Sequence, residues 1–174
     1  SACLVGSEMC IRDRDGTVYK TTGAQVYTAT SGDNIDITNA SNAAFTTTNT
    51  AITFGTANIE LANGVDLTLD SGAGAGNITL VSIDGHSSEA VTIDAGTGTT
   101  SVGAIGAGTE IGAVTIGSAQ NGGITLNGAI TTTGMPSSIK ANGPCFISPA
   151  GYPSACIYAN SFNFRAPSSA IGYE

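Results

Sequence analysis

Apolar residues alternate with polar ones in short runs along most of the chain: Ile35–Ile37, Ile52–Phe54, Ile59–Leu61, Val65–Leu67–Leu69, Ile78–Leu80 and Val91–Ile93. Val102, Val114–Ile116, Ile124–Leu126 and Ile130 continue the series. Each run is short and is followed by Gly, Asn, Asp or Ser. A period of two bounded by turn residues predicts β-strands with one buried face. No stretch of this body holds a 3.6-residue period for ten residues, so it is expected to contain essentially no helix.

The runs also repeat. AVTI at 90–93 returns at 113–116, a shift of 23, and NITL at 77–80 returns as GITL at 123–126, a shift of 46. TTG at 21–23 returns at 132–134, close to five times that period. Such a period marks a repeat architecture in which each unit buries its apolar side only against its neighbours. The reading is all-β: a short right-handed parallel β-helix of about five coils, with an interior of Val, Ile and Leu. The alternative is an antiparallel β-sandwich, which the turn signals Asn63-Gly64, Asp84-Gly85 and Asn127-Gly128 would suit.

Composition sharpens this picture. Only 10% of residues are charged, Gly numbers 24, and the net charge is −8. Between Lys20 and Lys140 there is no cation, yet nine carboxylates (Asp33, Asp36, Glu60, Asp66, Asp70, Asp84, Glu89, Asp94, Glu110) lie there. A chain with five cations neutralises few phosphates, so nucleic acid is a poor partner. No apolar run is long enough to cross a membrane as a helix. Three segments follow: an N-terminal flank or cap at 1–20, the strand-repeat body at 21–134, and a C-terminal flank at 135–174 that holds all five Pro and a possible donor strand.

The body resembles the β-strand-repeat, filamentous-haemagglutinin-like surface proteins of bacteria. The phrases that carry the resemblance are TTGAQVYTA (21–29), GNITLVSIDG (76–85), AVTIDAGTGT (90–99) and GGITLNGAITTTG (122–134). It implies an extracellular or cell-surface β-helix and carries over no catalytic residue. Separately, LVGSEMCIRDR (4–14) resembles a translated sequencing adapter, which implies that the native residues there differ.

Candidate chemistry is sparse. Cys3, Cys10, Cys145 and Cys156 flank the body, and in an extracellular protein an even set reads as two disulfides, with Cys3–Cys10 and Cys145–Cys156 the first choice of three connectivities. Their spacings fit no usual zinc pair. His86, the sole His, follows a DG turn and reads as an exposed turn residue. Asp66 and Asp70 share the outward face of one strand, the arrangement to check for a polysaccharide-cleaving enzyme. Gly72, Gly74 and Gly76 read as a turn, not a phosphate loop, since no helix follows. Asp33 and Asp36, with Asn34, are weak calcium candidates; no cofactor is expected. The C-terminal flank is apolar and aromatic (Phe146, Tyr152, Ile157, Tyr158, Phe162, Phe164), and Ile157–Phe164 alternates enough to form a strand that caps its own chain or adds to another. The expectation is a non-enzymatic structural subunit of an extracellular homopolymeric filament whose partner is itself. The alternative is a cell-surface adhesin module that binds glycans or surfaces.

Overall fold

In a computed structural model the described residues are 17–30, 33–38, 42–86, 88–117 and 122–133, together with the backbone of five flanking strands. The strands run in chain order as β1 (Leu4–Val5), β2 (Glu8–Met9), β3 (Val18–Thr21), β4 (Gln25–Tyr27), β5 (Asn34–Ile37), β6 (Ala43–Thr47), β7 (Ile52–Leu61) and β8 (Leu67–Asp70). They continue as β9 (Ile78–Asp84), β10 (Ala90–Asp94), β11 (Thr100–Ile105), β12 (Ala113–Ile116), β13 (Ile124–Leu126), β14 (Ser137–Ile139), β15 (Cys145–Ile147) and β16 (Phe162–Phe164). Among the described residues there is no helix, and so none long and apolar enough to cross a membrane.

The chain is a parallel β-solenoid. One long sheet stacks β3, β6, β8, β10, β12 and β14; the other stacks β4, β7, β9, β11, β13 and β15. The long strands β7, β9 and β11 bend, so their second halves form a third face that begins with β5. Residues 17–133 hold five rungs of the first sheet, which makes about four full turns, close to the number expected from the repeat. Partners in that sheet lie 23 to 26 residues apart.

The AVTI phrases pair directly, Ala90 on Ala113 through Ile93 on Ile116. NITL and GITL lie two rungs apart with β11 between them. The third repeat is not equivalent in space. Thr21 ends a first-sheet strand and pairs with Thr47, whereas Thr132 bridges Ile111 at a different corner. The sandwich alternative also fails, because every pairing in the described body is parallel. Asn63-Gly64 and Asp84-Gly85 turn the chain from the third face to the first, and Asn127-Gly128 lies at the bend that follows β13, so none closes a hairpin. The rungs run past both ends of the Thr-rich body, starting at Val18 and continuing through β14 and β15.

Inward side chains stack in columns. On the first face these are Tyr19, Phe45, Leu69, Ile93 and Ile116. The second face contributes Tyr27, Phe54, Leu80, Val102 and Leu126, and the third Ile35, Ile59, Ile83 and Ile105. Apart from Tyr19, which is partly exposed, these residues are buried. Removing each Ile or Leu from water contributes about 1.5–3 kcal/mol. The N-terminal end of the core is aromatic: Tyr19 stacks on Phe45 and Tyr27 on Phe54, each pair with ring centroids 4.7 Å apart, and Phe45 meets Tyr27 and Phe54 edge-on.

Two backbone devices shape the coil. Between Phe54 and Asn58 a register shift adds residues to β7, and the buried Ala57 fills it. At Gly103 the chain bends from the second face to the third, where a Cβ would fall on the carbonyl oxygen of Val81 in the preceding coil. Only Gly allows that close an approach.

Candidate functional site: outward columns and stapled corners

Outward residues also align from coil to coil. Thr68, Thr92 and Thr115 form one column on the first face, beside Lys20, Thr46, Asp70 and Asp94. On the third face Asp36, Glu60 and Asp84 stand in register, beside Asn34, Asn58 and Ser82. Strand spacing places such neighbours about 4.8 Å apart. Burial raises the Glu60 pKa from its ordinary value, and the like charges of Asp84 and Asp36 add to that rise, while His86 opposes it. Asn58 Nδ2 donates to Glu60 Oε2 at 3.3 Å.

The corners are joined by side chains that reach the backbone of an adjacent coil. Asn49 Oδ1 accepts from Gly74 N at 2.6 Å, Asp66 Oδ1 from Ala90 N at 2.7 Å, and Asn77 Oδ1 from Thr99 N at 2.9 Å. Asp84 Oδ1 accepts from Gly108 N at 2.7 Å. Donor and acceptor lie 22 to 25 residues apart in each pair, one coil along the chain. A second group acts within its own turn: Asp70 Oδ1 accepts from Gly72 N and Asp94 Oδ1 from Gly96 N, two residues on, where both glycines have positive φ. Asp and Asn favour this local bond because their short side chains reach the backbone two residues ahead.

Glu89 is the most constrained of these groups. It is fully buried at the position where the preceding coil carries Val65. Its Oε2 accepts from His86 N at 2.6 Å and Ser88 N at 3.1 Å; its Oε1 accepts from Gly64 N at 2.9 Å and Ser88 Oγ at 3.1 Å. Burial pushes its pKa up. The backbone N–H groups of Gly64, His86 and Glu89 itself, with the Ser88 hydroxyl, outweigh that effect and hold it down to about 2. A carboxylate that accepts several N–H bonds stays ionised in an apolar setting for this reason. Sequence reasoning counted Glu89 only as one acid among nine. The available signal was its place in the repeat, an acid where the previous coil has an inward valine.

The residues singled out from the sequence fall as follows. Asp66 and Asp70 do lie on one outward face, but each holds a backbone N–H of a different corner. His86 is an exposed turn residue whose Nδ1 lies 2.8 Å from Gly85 O. Gly72, Gly74 and Gly76 lie in the turn between β8 and β9. Asp33 sits in a turn, its N–H donating to Thr30 O at 2.9 Å, while Asp36 is on β5 facing Glu60. Among the described residues no group of three or more His, Cys, Asp or Glu is arranged to hold a metal ion.

Cys3, Cys10, Cys156, Tyr152, Ile157 and Tyr158 lie outside the described residues. Cys145 opens β15, opposite Ile124, and Phe146 follows it opposite Thr125. Phe162 and Phe164 belong to β16, which pairs antiparallel with β14 of the same chain.

Compared with known proteins, the chain matches no family model, no curated protein and no solved structure.

Proposed function

We propose that the protein is a structural building block of an extracellular fibre of a microbe. The observation that carries this reading is the use of polar side chains at the corners. Asn49, Asp66, Asn77, Asp84 and Glu89 each bind a neighbouring coil's backbone, so five polar side chains at the corners serve to hold the stack. Even the carboxylate pair that polysaccharide cleavage would call on, Asp66 and Asp70, serves the backbone. A repeat stack held in this way supports a rod, and an end that offers a strand edge to a second copy extends it.

Negative-stain microscopy of the purified protein over a wide concentration range tests the reading. Filaments that lengthen with concentration are expected; monodisperse single chains throughout would overturn it. The outward column Thr68, Thr92 and Thr115 favours a second reading, a surface module that binds glycans. Glycan-array binding by an isolated single chain would select it.

A further inference from the structure

We infer that β16 is an exchangeable strand: residues 162–164 of one copy pair antiparallel with Ser137–Ile139 of a second copy, displacing that copy's own strand. This deepens the fibre reading and rests on it for its biological setting.

The argument starts from the two ends of the stack. At the N-terminal end the second and third faces of the first rung are closed, while Tyr19 on its first face is partly exposed. On the closed faces the inward Tyr27 and Ile35 are each only 2% exposed. Gln25, buried beside them, donates from Nε2 to Tyr19 O and Thr46 O, both at 2.9 Å, and its Oε1 accepts from Tyr27 Oη at 2.9 Å. The β2 strand approaches β4 at the same end. A second copy stacking on those two faces would meet a packed core.

The C-terminal end is built differently. Among the strands of the two long sheets, β16 alone runs antiparallel. It makes three residue pairs with β14, which itself makes only two with β12, whereas β10 makes four with each of its neighbours. Without β16, the edge of β14 is a row of unpaired N–H and C=O groups, the feature that recruits a strand from another chain. Exchange replaces Ser137↔Phe164, Ser138↔Asn163 and Ile139↔Phe162 with the same three pairs between copies, so nothing described in the body need unpack. Fourteen residues separate Ile147 from Phe162. Extended, that length spans up to about 46–50 Å, many times the strand spacing of about 4.8 Å, so the strand can reach a neighbouring molecule.

The test uses two full-length variants, Ser138→Cys and Asn163→Cys, because these positions face each other across the pair. The two are refolded together and oxidised, and peptide mapping identifies links between positions 138 and 163 apart from those of the native cysteines. A linked heterodimer whose yield rises with protein concentration is expected. The double variant, oxidised when dilute, is expected to form the link within one chain and then to stay monomeric.

A double variant that links internally, beside a mixture that never links, would overturn the proposal, and so would the absence of any such link in both. Filaments built from internally locked double variant would also sink strand exchange while leaving the fibre reading standing. Linked heterodimers from a protein that never forms filaments would do the reverse: exchange stands and the fibre reading fails.

Discussion

The first and fourth coils place different residues in the same inward column, Gln25, Ile52, Ile78, Thr100 and Ile124. At the N-terminal end the polar member is satisfied, since the Gln25 amide binds two backbone carbonyls and a tyrosine hydroxyl, and four aromatic rings pack on one another in the same two coils. Three coils later Thr100 is as deeply buried, but its Oγ1 has no hydrogen-bond partner among the described residues, and its column neighbours Ile78 and Ile124 are aliphatic. Burial alone therefore does not measure how well a coil is held. An unsatisfied buried hydroxyl costs about 1–3 kcal/mol, which a satisfied one avoids.

Four substitutions break or sharpen this contrast. The largest effect is expected from Phe54→Ala, which removes a fully buried ring of the aromatic end and is expected to lower unfolding free energy by about 3–5 kcal/mol. Leu126→Ala in the same column, on the last described rung of the second face, is expected near the lower limit of about 2 kcal/mol. Equal losses in urea melts would show that the aromatic end is no better held than the other.

Next comes Glu89→Gln, which keeps the shape and removes the charge that four donors surround. A loss of about 1–3 kcal/mol at neutral pH is expected. Its sign with pH is fixed by the direction of the shift. The folded value of about 2 lies below the ordinary 4.5. The stabilisation is therefore complete above about pH 4.5 and disappears as pH falls towards 2. The gap between wild type and variant should close over that interval, and a gap independent of pH would show that the carboxylate charge is not what holds the corner.

The smallest effect is expected from Thr100→Val, which replaces the unpartnered hydroxyl by a methyl group. It should raise stability by about 1 kcal/mol. A loss of stability would mean that the hydroxyl is satisfied in solution.

The solenoid was legible in the sequence because register and repeat are the same quantity in a parallel stack. AVTI recurs after 23 residues and pairs at that offset, so a phrase in the sequence is a contact in the fold. The TTG repeat misled for a related reason. Coils vary in length, the second-face rungs lying 21 to 27 residues apart, so identity over a long shift does not guarantee the same corner. The use of the acids was not legible. Asp66 and Asp84 have the composition of a solvated surface, and only the spacing between coils shows that a backbone N–H lies within reach of each. Glu89 was hidden further, because its partners come from two corners, Gly64 in one coil and His86 and Ser88 in the next.

The bend at Gly103 and its counterparts wind a long contour into little height. A coil of 23 to 26 residues climbs one strand spacing, about 4.8 Å, yet drawn straight it measures roughly 80 Å. Tension along the axis that strips one coil from an end therefore lengthens the molecule by about 75 Å while the remaining coils keep their packing. Mechanically, the stack behaves as a reel that yields in coil-sized steps.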